Sequence, residues 1–277
     1  YEKEKEHKKK RVEDAFSHIA HINIEAETLL SDNKTTCYRN KAQYPVSFDR
    51  QLKIGFFAPR SHRVVDCENC ILQPPIFADI VKIFRKFIIK NGITVYDSEK
   101  HTGLLRHIYL RLAEATGEVM VCAVINGEDL PHKNELIEKL TEIPSVKSIV
   151  LNINRDRTNV ILGKECVTVW GNDCIYDVLC GVKVRLSPLS FYQVNHDMAQ
   201  QLYEKAAEYA CLSGKETVLD MYCGTGTIGL SMAKKAKRII GAEIVPEAVL
   251  DAKRNALENG IENAEFICAD AGEAAQE

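Results

Sequence analysis

The residues best suited to chemistry lie between positions 217 and 243, where two acids flank a glycine-rich loop. Asp220 lies in one apolar run, Gly224 and Gly226 follow in the loop, and Glu243 ends the next apolar run. Glycine lets the backbone turn tightly and approach a ligand without a Cβ clash. An acid after the second strand of such a unit can bind the hydroxyl pair of a ribose. The pattern therefore favours a cofactor that contains adenosine.

The surrounding sequence supplies the elements that must hold these residues. Apolar runs over 217–221 and 238–242 predict two strands, and the pattern over 228–235 predicts a helix between them. A third strand is predicted over 265–269, and Asp270 follows it. Together these elements form a βαβ unit with one further strand.

Two cofactors are compatible with the glycine loop. Its G-x-G-x-x-G spacing matches the dinucleotide fingerprint, which alone is weak evidence. Three features favour S-adenosylmethionine. Asp220 precedes the glycines and could face a cationic amino group, Asp270 suits an adenine amino group, and an amphipathic helix is predicted over 198–210 before the first strand. Helix capping is the alternative role for Asp220 and Glu243.

Longer segments resemble one enzyme family, the RNA uridine-C5 methyltransferases, which make 5-methyluridine in tRNA or ribosomal RNA. The segments VLDMYCGTGTIG and FYQVN carry the resemblance most clearly. All matching segments lie at residues 38–43, 55–60, 191–195, 218–229, 241–249 and 252–256. The resemblance covers nearly the whole chain.

The resemblance implies a fold and a set of cofactor contacts. We expect a Rossmann-like S-adenosyl-L-methionine-dependent methyltransferase domain, of which residues 187–277 are the N-terminal half, after an α+β, mainly antiparallel RNA-contacting domain at 1–186. Ser187-Pro188 marks the predicted boundary. With the acids and glycines above, the predicted cofactor-binding residues are Gln193, Asp220, Tyr222, Gly224, Gly226, Glu243 and Asp270.

The resemblance also implies a covalent mechanism. In that family a cysteine thiolate adds to C6 of uracil, C5 attacks the methyl group, and a glutamate removes the C5 proton. We expect both residues, and an Asp-Pro-Pro cofactor motif, downstream of Glu277, so no catalytic residue is assigned within this chain and the chain as given is expected to be inactive. Cys223 lies in the cofactor loop and is interpreted as a small packing residue.

A predicted hairpin is the candidate RNA surface. Residues 36–48 and 51–58 are rich in aromatic and β-branched side chains and meet at Asp49-Arg50. Basic and aromatic side chains on a sheet suit phosphate pairing and base stacking. Protection of a sheet edge by charge is the alternative, and the resemblance favours RNA. The basic residues are Arg39, Lys41, Arg60 and Arg63.

Cys67 and Cys70 form a C-x-x-C motif. No second such pair lies within zinc-ribbon distance, so zinc is not favoured. In the ribosomal-RNA branch of the resembled family, a 4Fe-4S cluster takes one ligand at the position of Cys70, and its other three ligands would precede Tyr1. The motif therefore favours the 23S ribosomal RNA branch over the tRNA branch. The alternative is that Cys70 is a small buried residue.

The first part of the chain carries further predictions. The spacing of Val12, Phe16 and Ile19 predicts one buried helical stripe. A helix is predicted over 74–90, with proline at its first turn and glycine at its end. Strands are predicted over 105–113 and 118–126, and His107 is interpreted as a surface polar residue rather than a catalyst. Further predictions are a helix over 133–142 and a strand over 148–154.

Composition limits the alternatives. The net charge of −3 gives no overall signal for nucleic acid, so RNA contacts must be local. No apolar run could span a membrane, the basic start lacks the apolar segment that a signal peptide needs, and the 10 cysteines suggest reduced thiols, so we expect a cytoplasmic protein. We also expect a monomer. The chain begins with Tyr1 and is expected to be a piece of a longer protein. The competing functions are an NAD(P)-dependent oxidoreductase and a non-catalytic RNA-binding module.

Overall fold

The computed structural model describes residues 1–27 and 29–274, and its contacts define two compact units, residues 1–34 and 35–277. The first unit contains helix α1, Glu2–Ala15, which continues as a π-helical turn, Phe16–Ala20. The predicted stripe of Val12, Phe16 and Ile19 is exposed, so that prediction is wrong. A unit of this length has too little apolar surface to enclose a core of its own.

A seven-stranded sheet forms the centre of the second unit, in the order β3-β2-β1-β4-β5-β6-β7. Every neighbouring pair is antiparallel except β5 and β6, which are parallel. The predicted hairpin at Asp49-Arg50 and the predicted strands over 105–113 and 118–126 are confirmed. The strands are β1 Lys41–Asp49, β2 Gln51–Phe57, β3 Val64–Asp66, β4 Leu105–Leu112, β5 Val119–Ile125, β6 Val146–Ile153 and β7 Glu165–Gly171.

The two faces of this sheet bury different clusters. Ile108 and Leu110 of β4 point to the face covered by α2, Pro75–Asn91, and α3, Lys133–Thr141, whereas Tyr109 points to the opposite face. This alternation follows from the two-residue period of a strand. Helix α2 begins with a proline and ends at Gly92, whose φ of 60° is left-handed, as the sequence predicted.

The opposite face packs against the segment that leads to the glycine loop. It meets a hairpin of β8, Ile175–Leu179, and β9, Val182–Leu186, followed by α4, His196–Tyr209. Tyr192 and Tyr203 lie in the same buried cluster as Tyr109. The predicted boundary at residue 187 falls inside the second unit, and the division into two domains there stays a prediction.

The last part is a three-stranded parallel sheet in the order β10-β11-β12, as expected from the βαβ pattern. Phe266 of β12 and Leu230 of the helix between β10 and β11 join the cluster that also contains Tyr109. The elements are β10 Thr217–Asp220, α5 Thr227–Met232 with a short 3-10 turn Ala233–Lys235, β11 Arg238–Glu243, α6 Pro246–Glu258, β12 Ala264–Cys268 and α7 Ala271–Ala274. Among the described residues, no helix is both long and apolar enough to cross a bilayer.

One prediction refers to the last residue of the chain. The catalytic cysteine and glutamate are expected downstream of Glu277, and Glu277 itself lies outside the described residues. The structure therefore does not test where those two residues lie, and their position stays a prediction.

Candidate cofactor site and adjoining basic surface

Asp220 and Glu243 are the last residues of neighbouring parallel strands, β10 and β11. Asp220 pairs in register with Gly241, and Glu243 pairs with Cys268 at the end of β12. Carboxyl ends of parallel strands meet at one edge of a sheet, where ligands of such folds bind. The structure therefore brings the two predicted acids to the same edge.

The glycine loop crosses this edge in a conformation that requires glycine. Gly224 and Gly226 have φ values of 54° and 80°, in the left-handed region. A Cβ at Gly226 would lie 2.8 Å from the ring of Phe266, whereas a Cβ at Gly224 would meet nothing within 4 Å. The space over Gly224 leaves room for a ligand, and the Gly226 N–H closes the turn by donating to the Cys223 carbonyl at 2.8 Å.

Glu243 ties this loop to the end of β11. Its Oε2 accepts a hydrogen bond from the Gly224 N–H at 3.1 Å, and its Oε1 accepts one from the Val245 N–H at 2.9 Å. The second bond lies just before α6, whose first turn has no side-chain cap among the described residues. An ionised carboxylate has further lone pairs, and its contact with a ribose stays a prediction.

The Oδ2 atom of Asp220 is buried and has no hydrogen-bond partner among the described residues. Burial raises the pKa of Asp220, hydrogen bonds from the Tyr222 and Gly229 backbones oppose the rise, and the charge of Glu243 adds to it. A buried carboxylate beside another acid is stabilised by a cation, so the surroundings fit the cationic part of S-adenosylmethionine.

The remaining predicted cofactor residues lie in different surroundings. The side chain of Gln193 is linked to this edge through Tyr203: burial raises the pKa of Tyr203, and hydrogen bonds with the side chains of Thr227 and Gln193 oppose the rise. Tyr222 is 82% exposed. Asp270 is exposed, and its Oδ1 accepts a hydrogen bond from the Gly272 N–H at 2.8 Å.

Tyr203 is a residue that the sequence analysis missed. It lies on the buried side of α4, close to the side chains of Gln193 and of Thr227, the first residue of α5. The only sequence signal was the amphipathic pattern of α4, which does not distinguish a core tyrosine from one that positions a site.

Buried polar residues hold the segment before α4 in place. Arg111 of β4 donates to the carbonyl oxygens of Ser187 at 2.9 Å and Ser190 at 2.7 Å. The Tyr192 hydroxyl donates to Asp177 Oδ2 at 3.0 Å. Because these donors and acceptors are buried, losing one partner would be costly. The large sheet thus fixes the backbone that presents Gln193.

Asn40 connects this segment to the predicted basic hairpin. Its backbone N–H donates to the Val194 carbonyl, and its side-chain Nδ2 donates to the Gln193 carbonyl, both at 2.9 Å. Arg39 and Lys41 flank Asn40 and line a cavity of about 320 Å³ together with Cys70. Burial lowers the pKa of Lys41, and the charges of Arg111 and Arg39 lower it further. Two cations therefore lie beside the segment that presents Gln193.

Arg60 and Arg63 lie apart from that cavity. Both are exposed in the turn between β2 and β3, which the Ala58 N–H closes by donating to the Arg63 carbonyl at 2.9 Å. Arg63 lines a different cavity from the one that Arg39 and Lys41 share. The four predicted RNA-binding residues thus form two pairs.

Cys67 and Cys70 lie close enough for their thiols to interact. Burial raises the pKa of Cys67, and the neighbouring Cys70 raises it further. Within residues 1–27 and 29–274, the structure contains no group of three or more His, Cys, Asp or Glu side chains that could hold a metal. Cys67 and Cys70 alone cannot hold an iron-sulfur cluster, which needs four ligands.

His107 is not the surface residue that the sequence predicted. It is half-buried, and its Nδ1 atom is fully buried without a hydrogen-bond partner in the described part of the chain. Burial and the charge of Arg106 lower the pKa of His107 to about 4. The alternating strand pattern could not reveal this environment, because a loop from elsewhere in the chain closes over it.

Comparisons with known proteins agree with this geometry. Residues 212–277 match the methyltransferase domain family. The chain is 44% identical over 269 residues to an uncharacterized RNA methyltransferase from Clostridium tetani, covering 96% of this chain and 58% of the relative. A second such protein, from Halalkalibacterium halodurans, is 44% identical over 275 residues, which cover 98% of this chain and 60% of the relative.

A solved structure is similar over the same extent. It is the tRNA (uracil-54, C5)-methyltransferase of Pyrococcus abyssi in complex with S-adenosyl-L-homocysteine. The TM-score is 0.79 at 26% sequence identity, and the match covers 96% of this chain and 63% of that one. The chain therefore has the Rossmann-like fold of S-adenosylmethionine-dependent methyltransferases after its α+β part, and it is similar to RNA methyltransferases. It spans about three fifths of the length of the curated relatives named above.

Proposed function

We propose that this chain supplies the cofactor-binding edge and an RNA-binding surface of an enzyme that methylates C5 of uridine in RNA with S-adenosylmethionine. The observation that carries the proposal is the pair of hydrogen bonds from Asn40 to the Gln193 and Val194 carbonyls. These bonds place the cations Arg39 and Lys41 beside the segment that reaches the glycine loop. A methyl donor and an RNA phosphate can then bind on adjoining surfaces. The structural relative that acts on tRNA uracil supports the choice of base.

The residues at the strand ends have distinct proposed roles toward the cofactor. Asp220 binds the cationic amino group, since its buried Oδ2 lacks a partner among the described residues. Glu243 holds the ribose while it supports Gly224, whose open face lies against the ligand. Gln193 and Tyr222 supply further contacts, and Asp270 faces the adenine. When bound, the cofactor supplies an electrophilic methyl group.

Cys223 does not supply the nucleophile in this proposal. It is only 6% exposed, and a Cβ at Gly241 would lie 2.9 Å from its sulfur, so the thiol is packed beneath the glycine turn. Burial raises the pKa of Cys223 to about 12, and the charges of Asp220 and Glu243 add to the rise. The reactive form of cysteine is the thiolate. On the resemblance to the uridine-C5 methyltransferases, we propose that the nucleophile and the proton-accepting glutamate lie downstream of Glu277.

The proposal also extends to the class of RNA that is methylated. Cys70 lines the same cavity as Arg39 and Lys41, which is consistent with a position near RNA. On the resemblance alone, we propose 23S ribosomal RNA rather than tRNA and a 4Fe-4S cluster in the whole protein, with Cys70 as one ligand. We also propose that the whole protein is a cytoplasmic monomer. Methylation of ribosomal RNA and tRNA transcripts by the whole protein would distinguish the two substrates.

The cofactor assignment is tested by calorimetric titration of this chain with S-adenosylhomocysteine and with NAD. We expect binding of S-adenosylhomocysteine and none of NAD, because Asp220 suits an amino group and a pyrophosphate would meet two acids. Binding of NAD alone would support the oxidoreductase and contradict the proposal.

Catalysis is tested separately by transfer of a radiolabelled methyl group to an unmodified ribosomal RNA fragment. We expect transfer by the whole protein and none by the 277-residue chain. Turnover by this chain would show that it contains a nucleophile, and Cys223 would become the first candidate. Oligoribonucleotide binding without any cofactor binding would instead support the non-catalytic RNA-binding module.

A further inference from the structure

A second cavity lies at the opposite end of β4 from the segment that presents Gln193. It has a volume of about 380 Å³, within the range of small-molecule sites. Within β4, His107, which pairs with Pro45, lies four residues before Arg111, which pairs with Lys41. At about 3.4 Å per residue in a strand, the cavity lies roughly 14 Å from Arg111, which holds the cofactor-side segment. It is therefore a separate site.

The cavity opens where two strands part. Strand β1 pairs with β4 as far as Pro45, and from Val46 onward it pairs with β2 instead. Proline has no N–H to donate to a neighbouring strand. The loss of pairing after Pro45 leaves a notch between β1 and β4, and Thr158 and Ile161 of the loop after β6 close one side of it.

A β-bulge directs two adjacent side chains into this notch. Leu105 pairs with Ile125 and His107 pairs with Val124, so Arg106 is an extra residue in β4. Bulges re-aim side chains that regular alternation would send to opposite faces. Both Arg106 and His107 line the cavity as a result.

The polar groups at the cavity are incompletely paired. Arg106 donates to the carbonyls of Asn154, Asp156 and Thr158, but its Nε is buried without a partner among the described residues. His107 Nδ1 is likewise buried and unpaired in that part of the chain. Unsatisfied buried polar atoms are costly in a folded protein. A ligand with a polar edge would satisfy them.

Flat groups surround these polar atoms. The Phe57 ring meets His62 at 5.9 Å and His107 at 6.4 Å, both edge-on, so its face is not stacked on either ring. The Arg106 guanidinium lies 4.2 Å from the centre of the Tyr96 ring. Bases of single-stranded RNA stack on aromatic rings and on arginine planes. Among the described residues that line the cavity, none carries a carboxylate, so a cationic ligand is disfavoured.

We propose that this cavity binds one unpaired nucleobase of the RNA substrate, stacked on Phe57 with its polar edge against His107 Nδ1 and Arg106 Nε. The inference rests on the proposed function for its choice of RNA. The base differs from the uridine that is methylated, because the cavity lies away from the cofactor edge. Arg63 lines an adjoining groove that shares His62 and Tyr96 with the cavity, so a phosphate of the same strand has a cation nearby.

The test measures how strongly the bases contribute to binding. A fluorescein-labelled oligouridylate and an abasic oligomer of equal length are titrated with the chain, and fluorescence anisotropy gives each dissociation constant. We expect the chain to prefer the oligomer that carries bases. Phe57→Ala should reduce this preference by roughly 5- to 150-fold, which is the effect of removing one base–aromatic stack. Phe57→Tyr should retain the preference.

Tyr209→Ala is the matched control, because Tyr209 is an exposed aromatic residue on α4 that does not line the cavity. It should keep the full preference for bases. His107→Leu should reduce that preference, since it removes the unpaired nitrogen while leaving an apolar side chain of similar reach. Unchanged S-adenosylhomocysteine binding in every variant verifies that each one is folded.

Several outcomes would overturn the proposal. One is that Phe57→Ala and His107→Leu both prefer the base-carrying oligomer as strongly as the unmodified chain does. Another is that the unmodified chain binds neither oligomer. If free uridine monophosphate bound as tightly as the oligomer, the cavity would be a nucleotide site rather than an RNA subsite. Failure to bind S-adenosylhomocysteine would contradict the methylation proposal. The base preference would still test whether the cavity binds a nucleobase.

Discussion

Two regions of this chain each bury a polar atom that lacks a partner among the described residues, and they differ in the charge beside it. Asp220 Oδ2 lies near another acid, Glu243, whereas His107 Nδ1 lies near the cation Arg106. Burial favours the neutral form of both groups, since it raises the pKa of Asp220 and lowers that of His107 to about 4. The neighbouring charge therefore determines which ligand charge each region favours. A cation suits the first region, and a neutral or anionic group suits the second.

The two regions also present these atoms differently. Asp220 ends a regular parallel strand, and a glycine loop exposes backbone beside it. His107 follows a bulge in an antiparallel strand, at a place where the neighbouring strand departs. The first arrangement is made by local sequence. The second needs residues that are distant in the chain.

The largest expected effect is the loss of cofactor affinity in Asp220→Asn. Removing one partner of a buried charge pair costs about 2–5 kcal/mol, so the dissociation constant of S-adenosylhomocysteine should rise at least roughly 30-fold. Isothermal titration calorimetry measures it. Glu265→Gln is the control, because Glu265 is an exposed acid near the opposite end of β12. Equal affinities in the chain and Asp220→Asn would remove the proposed contact with the amino group.

The same substitution should stabilise the chain without cofactor. The pKa of Asp220 is raised in the folded state, so the folded chain binds more protons than the unfolded chain at pH values near these pKa values. The free energy of unfolding therefore falls as the pH rises from the ordinary pKa of the carboxyl group through its raised pKa. Asp220→Asn removes this loss of stability. Urea unfolding at neutral pH should show a higher midpoint for the variant.

Glu243→Ala should have a smaller effect on the same titration. A hydrogen bond to a charged group contributes about 1.5–3 kcal/mol, and the substitution also frees the N–H groups of Gly224 and Val245. The affinity for S-adenosylhomocysteine should fall accordingly. Glu247→Ala, which removes an exposed acid in the first turn of α6, should leave it unchanged. An unaltered dissociation constant in Glu243→Ala would rule out its contact with the ribose.

The sequence was more informative about the first region than about the second. The strands, helices and glycine turn around Asp220 and Glu243 were predicted because each depends on a short run of residues. The bulge at Arg106 and the departure of β1 after Pro45 leave no mark on the alternation of apolar residues. His107 was consequently assigned to the surface.

Buried polar anchors were missed for a similar reason. Arg111 was not assigned to the site from the sequence, yet it is 2% exposed and holds Ser187 and Ser190. A long polar side chain can be buried only where distant carbonyls meet it. The sequence of β4 contains no information about where those carbonyls lie.

The fourth prediction concerns stability in acid. His107 has its pKa lowered to about 4 from an ordinary value of 6.5, so the folded state binds fewer protons than the unfolded state between these values. Stability is therefore lost as pH falls from about 6.5 to 4, by roughly 2–3 kcal/mol. His107→Leu should remove this loss and should stabilise the chain at neutral pH, because a buried unpaired nitrogen disappears.

Urea unfolding at several pH values measures this effect. His62→Leu is the control, because His62 is an exposed imidazole near the same cavity. It should leave the pH dependence as it is in the unmodified chain. A His107→Leu variant with the unmodified acid profile would show that His107 is not held neutral by its surroundings.

The smallest expected effects come from the four predicted RNA-binding cations, and they separate phosphate contacts from base contacts. Each phosphate contact with a single strand contributes about 0.7 to the slope of log affinity against log salt, so Arg39→Ala/Lys41→Ala and Arg60→Ala/Arg63→Ala should each flatten the slope by about 1.4. Neither double variant should change the preference for bases over abasic RNA, since phosphate contacts carry no base information. Lys234→Ala/Lys235→Ala, which removes two exposed lysines after α5, is the control. A pair whose removal leaves the slope unchanged lies outside the RNA surface. A pair whose removal alters the preference for bases would show that its cations contact bases as well as phosphates.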